Sequence, residues 1–367
     1  MISMNDFKAE PQALRDDMLS AVSRVFDSGW YVLGNKIEQF EKEWANTCNV
    51  KHASGVGNGM DAIEIILRAM DVGPGDEVIT TSMTAFATVL AILRSGATPV
   101  LADIDPGTAL LSMESVARCI SPRTRAVVLV HLYGQVRDMD SWQSFCEENK
   151  VHLVEDCAQA HLASSDGRMA GSFGAGGAYS FYPSKNLGAI GDGGAIVTNS
   201  DEVLIKAKRL RNYGQSERYH HPEIGMNSRL DEIQAAMLSV RLNWLKEFTE
   251  RRREIADLYM EGIKNSKISL MSKPQSYEAH VYHLFVILTP HRDRLINYLK
   301  ESGVQSLIHY PIPIHMQKPC TQLKRDPNGL LISESHSNDC LSLPCHPQLS
   351  DKDVYKIIEL VNSFCLN

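Results

Sequence analysis

GAYSFYPSKNLGAIGDGG, residues 177–194, sets a single lysine, Lys185, in a run of glycine, small and aromatic residues with almost no charge nearby. A lysine in such a loop either snorkels its ammonium into water or loses hydration. In the second case its pKa falls toward the range where the neutral amine is a nucleophile. The stretch runs on into GAIVTN (194–199), the last of five strand-like runs. The others are DEVITT (76–81), TPVLAD (98–103), RAVVLV (125–130) and VHLVED (151–156). Helix-like apolar periodicity fills the intervals at 59–71, 86–95 and 138–149, and continues at 201–212. Such alternation predicts βαβ units around a mostly parallel sheet flanked by helices, an α/β fold. Ligands of such sheets sit at the carboxyl ends of the strands, which puts Asp103, His131, Asp156 and Thr198 near the functional edge.

Outside this block the pattern changes. Two amphipathic segments, at 11–27 and 36–46, precede it. A long helical stretch follows from Ser228 to about Asn265, with a break expected near Lys246–Thr249. Then come a strand (AHVYHLFVIL, 279–288), a helix (291–302), the proline-rich HYPIPIHMQKP (309–319) and two short helices. The expected organisation is a large domain over 1–247 and a smaller C-terminal α+β domain over 248–367.

Composition narrows the function classes. A net charge of −7 over 367 residues argues against nucleic-acid binding, which needs a surplus of Lys and Arg. The apolar runs are too short to span a bilayer, and the polar N-terminus does not read as a secretory signal. Eight cysteines without a CxxC pair, and no HExxH, point to thiols in a reducing cytoplasm rather than to disulfides or a metal site.

Two further stretches complete a constellation. VEDCAQAH (154–161) places Asp156 at the end of a buried strand, as a general base, a metal ligand, a partner for a cationic ring nitrogen, or simply a helix N-cap. GVGNGMDAI (55–63) opens a helix with small residues, so backbone amides can approach a phosphate. GDGG (191–194) reads as a tight turn, and neither glycine stretch matches GxGxxG, which argues against a nicotinamide-dependent enzyme. A desolvated lysine, a strand-end carboxylate and a phosphate-ready helix opening are together what pyridoxal 5′-phosphate requires. The lysine forms a Schiff base, the carboxylate keeps the pyridine nitrogen protonated, and amides hold the phosphate.

The chain also resembles a known family. GNKIEQFEKEWA (34–45), GVGNGMDAI, VLVHLYGQVRDMD (128–140), LVEDCAQAH, the block around Lys185, GMNSRLDEIQAA (225–236) and HYPIPIH (309–315) are similar, in order, to the sugar-nucleotide aminotransferases of the DegT/DnrJ/StrS group. That group has the aspartate-aminotransferase fold (fold type I). The resemblance implies that Lys185 carries pyridoxal 5′-phosphate, Asp156 pairs with its pyridine nitrogen and Gln159 lies by its 3-hydroxyl. It implies a phosphate site of Gly59, Met60 and Ser180, completed by Asn227 of a neighbouring subunit in a homodimer. L-glutamate is the implied amino donor and a nucleotide-linked keto-sugar the acceptor. The helix opening and the Tyr-His-His segment look most like members that aminate C-3 of dTDP-3-keto-6-deoxyhexoses, with C-4 amination of a dTDP or UDP 4-keto sugar as the alternative. Arg218, Tyr219, His220 and His221, with His309, Tyr310 and His315, are the expected sugar and diphosphate contacts. Relatives that act as dehydratases replace the lysine by histidine, so Lys185 argues for transamination. Two departures stand out: Met60 replaces the family's usual threonine, and Ala85, followed by Phe86, stands where a ring-stacking aromatic is common.

Overall fold

A computed structural model describes residues 1–365. Its main sheet is assembled from β1 (His52–Val56), β2 (Glu77–Thr81), β3 (Thr98–Ala102), β4 (Thr124–Val130) and β5 (His152–Asp156). A small hairpin of β6 (Ser164–Ser165) and β7 (Arg168–Met169) intervenes before β8 (Gly176–Ser180) and β9 (Gly194–Thr198). Later in the chain lie β10 (Ser269–Leu270), β11 (Phe285–Leu288), β12 (Lys324–Arg325) and β13 (Cys340–Leu343). The sheet order is β1-β9-β8-β5-β4-β2-β3-β12, with β10-β11-β13 forming a separate sheet. Pairings from β8 across to β12 are parallel. Only β9 runs against its neighbours.

That reversal corrects one expectation. Because β9 is antiparallel, Gly194, its first residue, pairs with Ser180 at the carboxyl edge, while Thr198 sits at the far edge opposite His52. Asp103 is also drawn away from ligand duty: its carboxylate accepts from the Ile332 and Ser333 N–H groups and the Ser333 hydroxyl.

Helices cover both faces of the sheet. Of the first seven, α1 (Gln12–Ser28) and α2 (Asn35–Thr47) precede the sheet; α3 (Gly59–Ala69), α4 (Phe86–Arg94), α5 (Met113–Cys119) and α6 (Met139–Glu148) connect its strands, and α7 (Asp201–Leu210) follows β9. The Ile63, Ile66 and Leu67 side of α3 packs with α4 and α7 over one face. Phe40 and Trp44 of α2 meet Tyr179 and Phe181 over the other, with Trp44 edge-on to both rings. Burying such side chains contributes about 1.5–3 kcal/mol each, which is what locks β8 and its sequel in place.

The long helix α8 (Glu232–Gly262) is unbroken, contrary to the break expected near Lys246–Thr249. Leu238, Arg241, Leu245, Phe248, Arg252, Ile255 and Tyr259 keep one helical face buried through that region. Within the charge-dense KEFTERRRE (246–254), Arg252 donates to the carbonyls of Tyr282, His283 and Cys345, and upstream of it Arg241 pairs with Glu10. At the start of α8, the Glu232 carboxylate accepts from the backbone N–H groups of Gly34, Lys36 and Ile37, capping α2. The last three helices, α9 (Arg292–Glu301), α10 (Leu331–Asp339) and α11 (Asp351–Ser363), follow it; α9 and α11 pack with the far half of α8 around the small sheet. Among the described residues no helix is long and apolar enough to cross a membrane.

Candidate active site

The carboxyl edge of the main sheet opens into a cleft of about 100 Å³, lined by residues from five separate stretches. Lys185, Asp156, Gln159, Ser180, Gly59 and Met60 all line it, so six positions singled out in the sequence converge. A wider groove of about 870 Å³ between α1, α2 and α8 contains none of them.

Each position has a local cause. Asn58 caps α3, its side-chain oxygen accepting from Asp61 N–H at 2.8 Å. This leaves the N–H groups of Gly59 and Met60 in the first turn, where no intrahelical acceptor exists. A Cβ on Gly59 would lie 2.8 Å from that of Ser180, so only glycine lets the helix opening abut the end of β8. Gly194 serves the same purpose from the other side, its added Cβ falling 2.4 Å from the Asn58 carbonyl carbon. GDGG is therefore a close approach of backbones rather than a tight turn needing positive φ.

Asp156 ends β5 and is buried. One of its oxygens accepts from Ala158 N–H at 3.1 Å and the other from the Thr88 hydroxyl at 2.8 Å. Gln159 is held at both ends of its amide: the oxygen accepts from Tyr133 N–H at 2.6 Å and the nitrogen donates to the Tyr310 hydroxyl at 3.2 Å. Lys185 is half-buried in the cleft wall. Burial pushes its amine down to about 8, with the Asp156 carboxylate pulling weakly the other way. Of the two readings of the opening stretch, this lowered amine favours the desolvated one.

His309 and Tyr310 come from the C-terminal part of the chain and do not line the cleft itself; Tyr310 touches its wall through Gln159. The His309 ring lies 2.8 Å from Ser342 Oγ, and its carbonyl accepts from the Tyr133 hydroxyl at 2.7 Å. Burial, then the Lys185 charge, pushes its imidazole down to about 4, so it stands neutral beside the amine. His315 is turned away, paired with Glu334 at 3.0 Å. Asn227, Arg218, Tyr219, His220 and His221 are exposed in a loop outside this chain's cleft. There the Arg218 guanidinium covers the Tyr219 ring, and His221 meets the Tyr213 carbonyl. Ala85 lines the cleft, but Phe86, partly exposed, does not.

His131, placed at the functional edge by the sequence, lines the cleft; Thr84, Thr88, Val130 and Ala158 also line it and were not foreseen as site residues. His131 Nε2 lies 2.9 Å from Glu155, whose carboxylate also accepts from the Gly171, Phe173 and Gly174 amides. Cys157 completes a buried trio with this pair. With Glu155 so fully engaged by amides, the trio braces β5 from behind.

The donor set fits pyridoxal 5′-phosphate. It has an amine of lowered pKa for the aldehyde, a buried carboxylate for the ring nitrogen, and a glycine-lined helix opening for the phosphate.

Comparison with known proteins agrees. Over 364 residues, 99% of either chain, the sequence is 43% identical to the dTDP-3-amino-3,6-dideoxy-alpha-D-galactopyranose transaminase of Aneurinibacillus thermoaerophilus. It is 41% identical to the dTDP-3-amino-3,4,6-trideoxy-alpha-D-glucose transaminase of Streptomyces venezuelae, over 98% of this chain and 95% of that one. The solved structure of S. venezuelae DesV in complex with a ketimine intermediate superposes with a TM-score of 0.93 at 41% identity, covering 97% of this chain and 96% of that one. The pattern of the DegT/DnrJ/EryC1/StrS aminotransferases matches residues 12–362, and the chain belongs to that family of pyridoxal phosphate-dependent enzymes.

Proposed function

We propose that the enzyme transfers the amino group of L-glutamate to C-3 of a dTDP-3-keto-6-deoxyhexose, in cytoplasmic deoxyamino-sugar biosynthesis. The observation that carries the chemistry is the meeting of Lys185, Asp156 and Gln159 beneath the Gly59–Met60 helix opening. The choice of C-3 rests on the two transaminases above, both named for a 3-amino sugar. Amination at C-4 is not favoured by them. Seven buried thiols fit a reducing compartment.

The bound cofactor supplies an electron sink for the carbanion formed at the carbon bearing nitrogen. The rest falls to the chain. Lys185 would hold the aldehyde and yield it to the amino donor. It then acts as a neutral amine, taking the proton from the donor's α-carbon and returning it at the cofactor's C4′. Asp156 would pair with the ring nitrogen and balance its positive charge. Gln159, fixed by Tyr133 and Tyr310, presents its amide toward the 3-hydroxyl. Gly59, Met60 and Ser180 hold the phosphate. With the keto-sugar in place of the donor, the same residues would act in the reverse order, which makes the scheme ping-pong. His309 and Tyr310 border the sugar from within the chain.

The exposed loop that ends at Asn227 suits a homodimer in which each copy completes its neighbour's phosphate site. In that arrangement Arg218, Tyr219, His220 and His221 offer donors to the neighbour's sugar diphosphate. Complementation tests this. Lys185→Ala and Asn227→Ala proteins are each expected to be impaired, and dissociated and reassembled together to regain about a quarter of the wild-type rate, the statistical yield of one intact site per mixed dimer. No recovery in demonstrably mixed dimers would place Asn227 outside the shared site.

The substrate assignment is tested by incubating the enzyme with glutamate and a panel of 3-keto and 4-keto dTDP and UDP sugars. Mass spectrometry and NMR then locate the new nitrogen. Preferred amination of a 4-keto sugar would overturn the C-3 reading.

A further inference from the structure

Asp156 faces the cleft with both oxygens already engaged, one by the Ala158 amide and one by the Thr88 hydroxyl. Thr88 Oγ1 in turn lies 2.9 Å from Thr84 Oγ1. A hydroxyl has one proton to give and a carboxylate has none. Thr88 commits its proton to Asp156, so Thr84 is the donor to Thr88, and the direction of the chain Thr84 to Thr88 to Asp156 is fixed. All three side chains are buried and border the same cleft.

The location of these hydroxyls is unusual for their sequence. α4 reads FATVLAILR, apolar but for Thr88 and its final arginine, and its Val89, Ala91 and Ile92 are core residues. Valine at 88 would match threonine in volume. A threonine within a helix ordinarily donates back to the carbonyl four residues earlier. Here Thr88 instead reaches across to β5, 68 residues along the chain, and meets at position 84 a hydroxyl rather than a carbonyl. Linked hydrogen bonds polarise one another, so Thr84 strengthens the bond that Thr88 makes.

We propose that Thr88 is a positioning residue, held by Thr84, that fixes the Asp156 carboxylate in the rotamer whose remaining lone pairs meet the pyridine nitrogen of the cofactor. This rests on the pyridoxal phosphate assignment of the cleft. Without the Thr88 hydroxyl, the described residues give Oδ2 no other donor, and the carboxylate is free to turn about its χ2 bond, which is soft for aspartate.

The test separates this role from simple packing. Thr88→Val keeps the shape and removes the proton; Thr88→Ser keeps the proton and removes the methyl. The probe is 4-deoxypyridoxine 5′-phosphate, which has the ring nitrogen and phosphate but no aldehyde, so its binding to apoprotein by calorimetry is independent of the bond to Lys185. Thr88→Val is expected to weaken that binding about tenfold or more, and Thr88→Ser to stay within about twofold of wild type, as a lost hydrogen bond to a charged group implies. In the reconstituted enzyme, kcat should fall with Thr88→Val while KM for glutamate stays within about twofold. Equal binding of the probe by folded Thr88→Val and wild type would overturn the proposal, as would Thr88→Ser behaving like Thr88→Val. Should Thr88→Val fail to fold, Thr88→Ala gives the same comparison against Thr88→Ser. Wild-type apoprotein that binds neither the probe nor pyridoxal phosphate would overturn the cofactor assignment itself, and this inference with it.

Discussion

Lys185→Arg is expected to abolish transamination, lowering kcat by at least ~10⁴-fold, because a guanidinium does not shed its proton at any working pH. It can neither attack the cofactor aldehyde nor carry a proton between two carbons. Added pyridoxal phosphate should still enter through the helix opening but remain removable by dialysis, and borohydride should fix none of it to the protein. A Lys185→Arg variant that kept a protein-bound Schiff base, absorbing at about 410–430 nm, would sink the assignment of the lysine. In the wild type the same amine sets the pH course of loading. Its pKa, lowered by burial to about 8, makes the neutral nucleophile scarce below that pH and abundant above it. The rate of covalent coupling to apoprotein should therefore rise about tenfold per pH unit on the acid side and level off near 8. A midpoint near the ordinary lysine value of 10.5 would mean that the amine is hydrated after all.

Asp156→Asn should cost less but still on the order of a hundred- to a thousandfold in kcat, the range seen when a preorganised electrostatic partner is removed. An amide cannot balance a cationic ring nitrogen. It also replaces one acceptor oxygen by an N–H donor, so with the amide oxygen on Ala158 N–H the Thr88 hydroxyl has to turn round to accept, reversing its bond with Thr84. Because Lys185 is untouched, the variant should still take up pyridoxal phosphate covalently. Coloured protein with slow turnover is the expected pair of observations. Turnover within tenfold of wild type would remove Asp156 from its place at the ring nitrogen.

The sequence carried the main elements where apolar patterning was strong. β2 to β5, with α4 and α6, were readable because β-branched runs alternate with helical periodicity; α5, a short helix of seven residues, was not foreseen. β1 and β8 were not readable either, since HASGV and GGAYS lack that pattern; Gly55 instead makes room for the Leu230 and Ile37 side chains, and Gly177 lets the Gly171 backbone approach. The antiparallel sense of β9 left no local mark, which is why Thr198 fell on the wrong edge. Lys185 and Asp156 stood out because each breaks the character of its surroundings, whereas Gln159 was singled out only through the family resemblance. Thr84 and Thr88 did not, though the spacing of four in MTAFAT at a helix start was visible; what gave it meaning was a strand distant in the chain. The loop over 211–227 could be noticed as polar and aromatic, but its use depends on what it faces, and a second copy is not written in a local pattern.

The uninterrupted course of α8 has a mechanical consequence. Its 31 residues form a rod of about 46 Å, anchored at one end in the core around the small sheet and at the other by the Glu232 carboxylate, which grips the turn that starts α2. A stiff beam of this kind absorbs no bending midway. Any swing of the C-terminal sheet is delivered whole, as tilt, to the amides of Gly34–Ile37, so the pivot for such a swing lies in the flanking connections.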